Sequence, residues 1–219
     1  IETLKEVDGA RVTAACSRRE LDRDELEAEY GIPIEPYGEY EAMLADESID
    51  VVDICSPSGY HTEQAIAAAR AGKDLILEKP IALNWEDARR LREVIHETGA
   101  DVCVCFEVRF SEQASALHDV LEAELVGDLH YAEVDYYHAV GPWYGQFEWN
   151  VKEEGGGSSL ISAGCHALDL LRWYMDAPVE EVTSYSTKTD NEQFEPYEYD
   201  TTSATILRFA DGSVGKVAS

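Results

Sequence analysis

The sequence predicts an α/β chain in two parts. Three observations carry that prediction. Short apolar runs alternate with helix-period segments through the first half. Glycines stand where several of those helices should stop. The second half changes to one long helix followed by strands of alternating polarity. Taken in order, 12–16 is a short apolar run and reads as a strand. The segment 19–30 has helical spacing and ends at Gly31. The β-rich run 51–55 suits a strand covered on both faces. An Ala-rich helix over 61–71 is stopped by Gly72, a residue suited to the left-handed conformation of helix ends. Another strand falls at 75–77. Asn84 is placed to cap a helix running to about Glu97, with Glu86 and Asp87 in its first turn. A further buried strand occupies 102–106. Strands separated by helices of this length imply right-handed crossovers and a parallel sheet.

Beyond that point 111–124 reads as helix and 131–137 as an alternating strand. Three glycines, Gly155 to Gly157, interrupt the chain before a helix over 159–174. Strands follow at 179–187, 203–209 and 213–217, the last two joined by Asp211-Gly212, a hairpin turn signal. This half reads as an α+β domain with an open, mainly antiparallel sheet. The change of pattern sets the domain boundary after Phe106, giving 1–106 and 107–219.

The 219 residues include 45 Asp and Glu against 17 Lys and Arg, a formal charge of −28, and 45% are hydrophobic, enough for a substantial core. The acids are spread along the chain, and such a surface repels a nucleic-acid backbone, so no nucleic-acid partner is expected. The apolar periodicity separates the chain from disordered polyanions of similar charge. A dispersed acidic excess instead suits a solvated surface in high salt, where screening removes the self-repulsion, and points to a halophilic source. No apolar run approaches the length of a bilayer span, so no membrane partner is expected. Cys16, Cys55, Cys103, Cys105 and Cys165 mostly lie in strand-like stretches without C-x-x-C spacing. They read as buried thiols in a reducing cytoplasm, with no zinc site or disulfide framework.

Two segments carry candidate chemistry. Glu78-Lys79-Pro80 follows a predicted parallel strand, and the carboxyl edge of such a sheet is where α/β folds bind ligands. Pro80 restricts Lys79 to extended geometry, and a cis bond there would aim the lysine, which can donate a hydrogen bond or proton to a substrate oxygen. A surface salt bridge at a turn is the competing reading. The second segment is the helix after the glycines. Ser162, His166 and Asp169 fall at i, i+4 and i+7 and so share a face, and His166 titrates near neutrality as a general acid–base group would. The competing reading is a core histidine with one hydrogen bond. The aromatic stretch 136–144, with His138 and Trp143, suits either stacking on a sugar face or interface packing. His96, His118 and His130 lie near predicted helix ends and read as solvated.

Together these segments resemble the Gfo/Idh/MocA oxidoreductase family. The strand ending in E-K-P corresponds to Glu78-Lys79-Pro80, and the GGG-x-L-x-D-x-G-x-H-x-x-D pattern corresponds to Gly155 through Asp169. The run from Cys55 to His61, Arg109-Phe110, and the run from Arg208 to Ser213 match in the same order. The resemblance implies a Rossmann domain followed by an α/β domain whose open sheet mediates homo-oligomer contacts, in a dimer or tetramer. It implies a nicotinamide cofactor and hydride transfer at a carbonyl or alcohol carbon of a sugar, polyol or related small molecule, with Lys79 and His166 as proton donors and acceptors. Ser56, Pro57, His61, Glu78 and Lys79 correspond to positions lining the cofactor, and Arg109 to one near its nicotinamide end. Ser162 and Trp143 join Lys79 and His166 as substrate-pocket candidates.

Three departures qualify the match. The family's first strand and Gly-rich phosphate loop do not precede residue 1, and members run well past Ser219, so the sequence is expected to be incomplete at both ends. The family's aspartate four residues before the histidine is Ser162 here, which supplies no carboxylate to orient His166. Chemistry is therefore expected to rest on Lys79 and His166 alone. At the end of the second family strand, where NAD-binding members place an acid, this chain has Ser17-Arg18-Arg19. Arginine suits a 2′-phosphate, so NADP is expected over NAD. A glycosidase that retains its NAD, and a non-catalytic cofactor- or sugar-binding regulator, are the alternative functions. The acidic surface generates its own expectation: thermal melting in rising potassium chloride should shift to higher temperature, and a midpoint that falls with salt would overturn the halophilic reading.

Overall fold

The computed structural model describes residues 1–137 and 147–219. They form two compact units, one of Ile1–Ile54, Glu63–Ile76 and Leu91–Cys103, the other of Cys55–Thr62, Leu77–Arg90 and Val104–Ser219. No helix among the described residues is long and apolar enough to cross a membrane.

In the first unit β1 (Ala14–Cys16) pairs in parallel with β2 (Glu35–Tyr37). Between them in sequence, α1 (Arg23–Tyr30) begins later than its helical spacing suggests, because the Asp22 side chain accepts the Glu25 N–H at 3.0 Å and caps it there. Gly31 ends it with φ +70°. The short α2 (Tyr40–Leu44) leads to β3 (Val51–Ile54), which forms a sheet with β4 (Asp74–Leu77) and β5 (Val102–Val104) in the order β3-β4-β5. The Asp74 N–H donates to the Asp50 carbonyl at 3.0 Å, Leu75 N–H to Asp101 at 2.9 Å, and Cys105 N–H to Leu77 at 2.9 Å. Strand starts thus meet starts and ends meet ends, so the strands run parallel as expected. The connections are α3 (His61–Arg70) and α4 (Trp85–Thr98), the latter capped by Asn84, whose Oδ1 accepts the Asp87 N–H at 2.9 Å.

Two expectations change here. β3 is not covered on both faces: it alternates, with Val52 and Ile54 buried and Val51 exposed. The same alternation corrects the cysteines. None is disulfide-bonded, but Cys55 and Cys103 are exposed and the other three only partly buried.

The second unit is built on a four-stranded sheet in the order β6-β9-β8-β7, comprising β6 (Tyr131–Asp135), β7 (Val179–Thr187), β8 (Thr202–Phe209) and β9 (Val214–Ala218). β6 runs parallel to β9, and the β7–β8 and β8–β9 pairs are antiparallel, so the sheet is mixed and mainly antiparallel. At the β8–β9 turn Gly212 has φ +89° and Asp211 accepts the Ser213 N–H, the role its sequence signal implies. Helix α5 (Glu112–Glu122) starts where the Ser111 hydroxyl accepts the Ala114 N–H. The predicted helix over 159–174 divides in two: a π-helical turn (Leu160–Gly164) runs directly into α7 (Cys165–Met175). Ala167, Leu171 and Met175 of α7 pack against Leu207, Phe209 and Val217 on one sheet face. The other face leaves Tyr185 and Ile206 exposed.

Ahead of the π turn lies the short α6 (Glu153–Gly156). Its glycines are required by contact rather than by dihedral angle. A Cβ on Gly155 would sit 2.1 Å from the Trp149 carbonyl oxygen, and one on Gly156 would sit 2.3 Å from that of Asn150. Both obstacles are backbone, which cannot swing aside. Gly155→Ala should therefore destabilise the fold by about 3 kcal/mol. An unchanged urea-unfolding midpoint would refute that account of the motif.

Candidate active site

The segments that leave the carboxyl ends of β3 and β4 belong to the second unit, as do the loop after β5 and helix α7. One compact unit therefore contains Ser56, Pro57, His61, Glu78, Lys79, Arg109, Ser162 and His166. Ser17 and Arg18 belong to the first unit, where β1 ends.

Lys79 leaves β4 through a cis bond to Pro80 and is half-buried. Its Nζ donates to the main-chain carbonyl of Ser162 at 3.0 Å, and its backbone N–H donates to its neighbour Glu78 at 3.1 Å. A surface salt bridge, the competing reading of the tripeptide, is not what the ammonium makes. Ser162 meets the lysine through its carbonyl, not its hydroxyl, and it lies in the π turn. His166 and Asp169 lie in α7, so the three residues are not carried by one uniform α-helix.

His166 opens the first turns of α7 and is 2% exposed. Phe106 meets its ring edge-on and Tyr136 lies tilted against it, with centroids 6.1 and 5.4 Å away. Its Nδ1 is buried with no hydrogen-bond partner among the described residues. Its Nε2 lies 3.5 Å from a carboxylate oxygen of Glu107, a residue the sequence reading passed over. Burial pushes the imidazole below its ordinary pKa; Glu107 opposes that shift, while Lys79 adds to it. His166 is therefore neutral near pH 7 and able to accept a proton. Nothing in the local sequence marks Glu107, which lies in the turn after β5, two residues before Arg109.

Asp169 favours a charged His166 through space, but its oxygens are bonded elsewhere. Arg109 grips it with two parallel bonds, Nε and Nη2 each 2.5 Å from a carboxylate oxygen, and the guanidinium lies 5.3 Å from the Trp173 ring centre. His118 stacks on Trp173 at 3.9 Å, so it is not simply solvated as its position suggested. The fork of Arg109 is thus committed to helix α7 rather than offered to a ligand. His61 is likewise committed: it is 1% exposed, with Nδ1 2.8 Å from the Pro80 carbonyl and Nε2 2.8 Å from that of Ser56. It ties the loop after β3 to the loop after β4 and has no ring nitrogen left for a cofactor. Arg18 and Arg19 are exposed beyond β1, where the Ser17 hydroxyl accepts the Arg19 N–H at 3.0 Å and turns the chain. Trp143 and His138 lie outside the described residues.

A cleft of about 580 Å³ in the same unit is lined by Ser58, Thr62, Asn84, Asp87, Glu154 and Glu198 among others, and contains neither Lys79 nor His166. Its Asp87 and Glu198 already pair with Arg90 and Lys152. Side-chain chemistry therefore locates the candidate site better than cavity volume does. No cluster of metal-ligating side chains occurs among the described residues.

The arrangement agrees with the relationships of the chain. The family described as an oxidoreductase family with an NAD-binding Rossmann fold matches residues 1–106, and the GFO/IDH/MocA C-terminal domain matches residues 114–219. The chain is 27% identical over 217 residues to a myo-inositol 2-dehydrogenase of Thermotoga maritima, covering 99% of this chain and 63% of that protein. It is 27% identical over 206 residues to a D-xylose 1-dehydrogenase (NADP(+)) of Haloferax volcanii, covering 94% of this chain and 60% of that protein. The chain thus spans less than two thirds of the length of these relatives. Among solved structures, the WlbA dehydrogenase of Bordetella pertussis, in complex with NADH and UDP-GlcNAcA, superposes with a TM-score of 0.81 at 27% identity, over 96% of this chain and 64% of that one. A probable dehydrogenase from Thermotoga maritima shares the fold with a TM-score of 0.83 at 24% identity, over 99% of this chain and 63% of that one. With both domains matched in order, the chain belongs to the Gfo/Idh/MocA oxidoreductase family.

Proposed function

We propose that this chain forms the greater part of an enzyme that moves hydride between NAD(P) and a carbonyl or alcohol carbon of a sugar, polyol or related small molecule. The observation that carries the reading is the meeting of Lys79 and His166 in one unit. The lysine is anchored on the π turn that leads into the histidine's helix, close enough for its charge to depress the imidazole. Residues 1–106 would form the dinucleotide-binding part and 107–219 the substrate part.

The nicotinamide group, when bound, supplies the hydride acceptor or donor. The protein handles the proton. Lys79 carries three N–H donors and spends one on the Ser162 carbonyl, which leaves donors to hold and polarise a substrate oxygen. His166, neutral in its buried setting, takes up the hydroxyl proton on oxidation and returns it on reduction. The exposed Arg18, on the turn made by Ser17, fits a ribose phosphate and supports NADP, as does the NADP(+) in the printed name of the Haloferax volcanii relative. Ser56, Pro57, Glu78 and Lys79 remain candidates to line the cofactor, while the hydrogen bonds of His61 and Arg109 go to the protein itself. The exposed Tyr185 and Ile206, on the sheet face away from α7, support a homo-oligomer.

A spectrophotometric screen of sugars and polyols with the full-length protein, run with NAD and NADP side by side, tests the reading. Lys79→Met should lower turnover by about 10²-fold or more, far more than it lowers cofactor affinity. Unchanged turnover would remove Lys79 from the chemistry. Sugar released without cofactor reduction would identify a glycosidase that retains its NAD, and tight cofactor binding without turnover would identify a regulator.

A further inference from the structure

We propose that Glu107 is the carboxylate partner of His166, a positioning residue that stabilises the charged imidazole from the turn after β5 where Ser162 offers no carboxylate from the helix. The inference rests on the oxidoreductase reading for its role in turnover, and on geometry for the pairing itself.

The Glu107 carboxylate lies 3.5 Å from Nε2, within ion-pair reach once the ring is charged. The other groups around the ring do this less or not at all; Asp169 also favours the charged ring, but less than Glu107. Nδ1 has no hydrogen-bond partner among the described residues. Asp169, three residues along the same helix, is held in both its oxygens by Arg109. Lys79, from the loop after β4, has the wrong sign and opposes a charged imidazole. Cys165 is pushed up to about 11 by burial and so stays a neutral thiol. Phe106 and Tyr136 meet the ring by aromatic packing. Glu107 is therefore the uncommitted anion that faces the ring. It is also two-thirds exposed. That exposure weakens the pair but leaves the carboxylate in contact with water, so a proton held at Nε2 has an acceptor that communicates with solvent.

The sign of the effect follows. Glu107 raises the His166 pKa against the depression caused by burial and by Lys79, so removing its charge must lower it further. In the full-length protein Glu107→Gln should shift the His166 titration, followed by NMR of histidine-labelled protein and assigned with His166→Gln, downward by about 0.5–1 unit. The acidic limb of kcat/KM for alcohol oxidation should move with it, and kcat should fall about tenfold. Adding Ser162→Asp to Glu107→Gln should recover part of both. Glu107 is exposed, so the variant should fold as the parent does, which circular dichroism checks. An unmoved His166 titration in folded Glu107→Gln overturns the pairing, whatever the activity does. A shifted titration in a protein whose wild type turns over no sugar or polyol upholds the pairing and sinks the oxidoreductase reading instead.

Discussion

Everything at the candidate site depends on how closely α7 seals against the sheet beneath it. Leu171, Phe209 and Val217 are each 0% exposed, and burial of such side chains contributes about 1.5–3 kcal/mol apiece. The approach is close because Gly215 lies under the helix: a Cβ there would stand 2.7 Å from Leu171 and 3.0 Å from Phe209. A helix clamped in this way cannot rotate to suit a ligand. His166 and Asp169 are therefore presented from a fixed platform, and the loops must come to them.

The loops come by hydrogen bonds to main chain. Lys79 reaches the Ser162 carbonyl, and His61 spans the Ser56 and Pro80 carbonyls. In each case a side chain able to do chemistry is used to fix the course of a loop, and the acceptors are backbone oxygens that burial would otherwise leave costly. Arg109 does the same with a carboxylate, joining the turn after β5 to α7 across 60 positions of sequence. The site is thus held by polar ties laid over an apolar platform. Positions that a family pattern marks alike serve in two ways, some for the ligand and some for the scaffold.

What was legible in the sequence was local. Asn84 caps α4, Gly31 ends α1 and Asp211-Gly212 turns β8 into β9, because each signal acts within a few residues of itself. What was hidden was non-local or too short. β2 spans three residues with Pro36 at its centre, a composition that argues against a strand until a partner is present. The π turn has no sequence signature, since its backbone is set by packing rather than by residue type, and it stands where a uniform α-helix was drawn through Ser162. The alternation of β3 was lost to its uniform β propensity, and its exposed positions were wrongly placed inside. The commitment of Arg109 and His61 could not be read at all, because their partners lie far along the chain or in the main chain.

Glu107 shows the same limit in its sharpest form. With 45 acidic residues against 17 basic ones, composition says nothing about which carboxylate is employed. Pairing sorts them. Glu133 and Asp135 share Lys216, Glu198 holds Lys152, and Asp87 holds Arg90, pairs that solvent screening leaves weak. Those contacts suit an acidic surface and imply nothing more. Glu107 differs in its partner rather than in its own setting: the group it faces is buried, ionisable and held below its ordinary range. A charge beside such a group changes the protonation state of the interior, whereas one beside a solvated lysine only trims the surface field. In a chain this acidic, a functional carboxylate is recognised by the burial of the group opposite it.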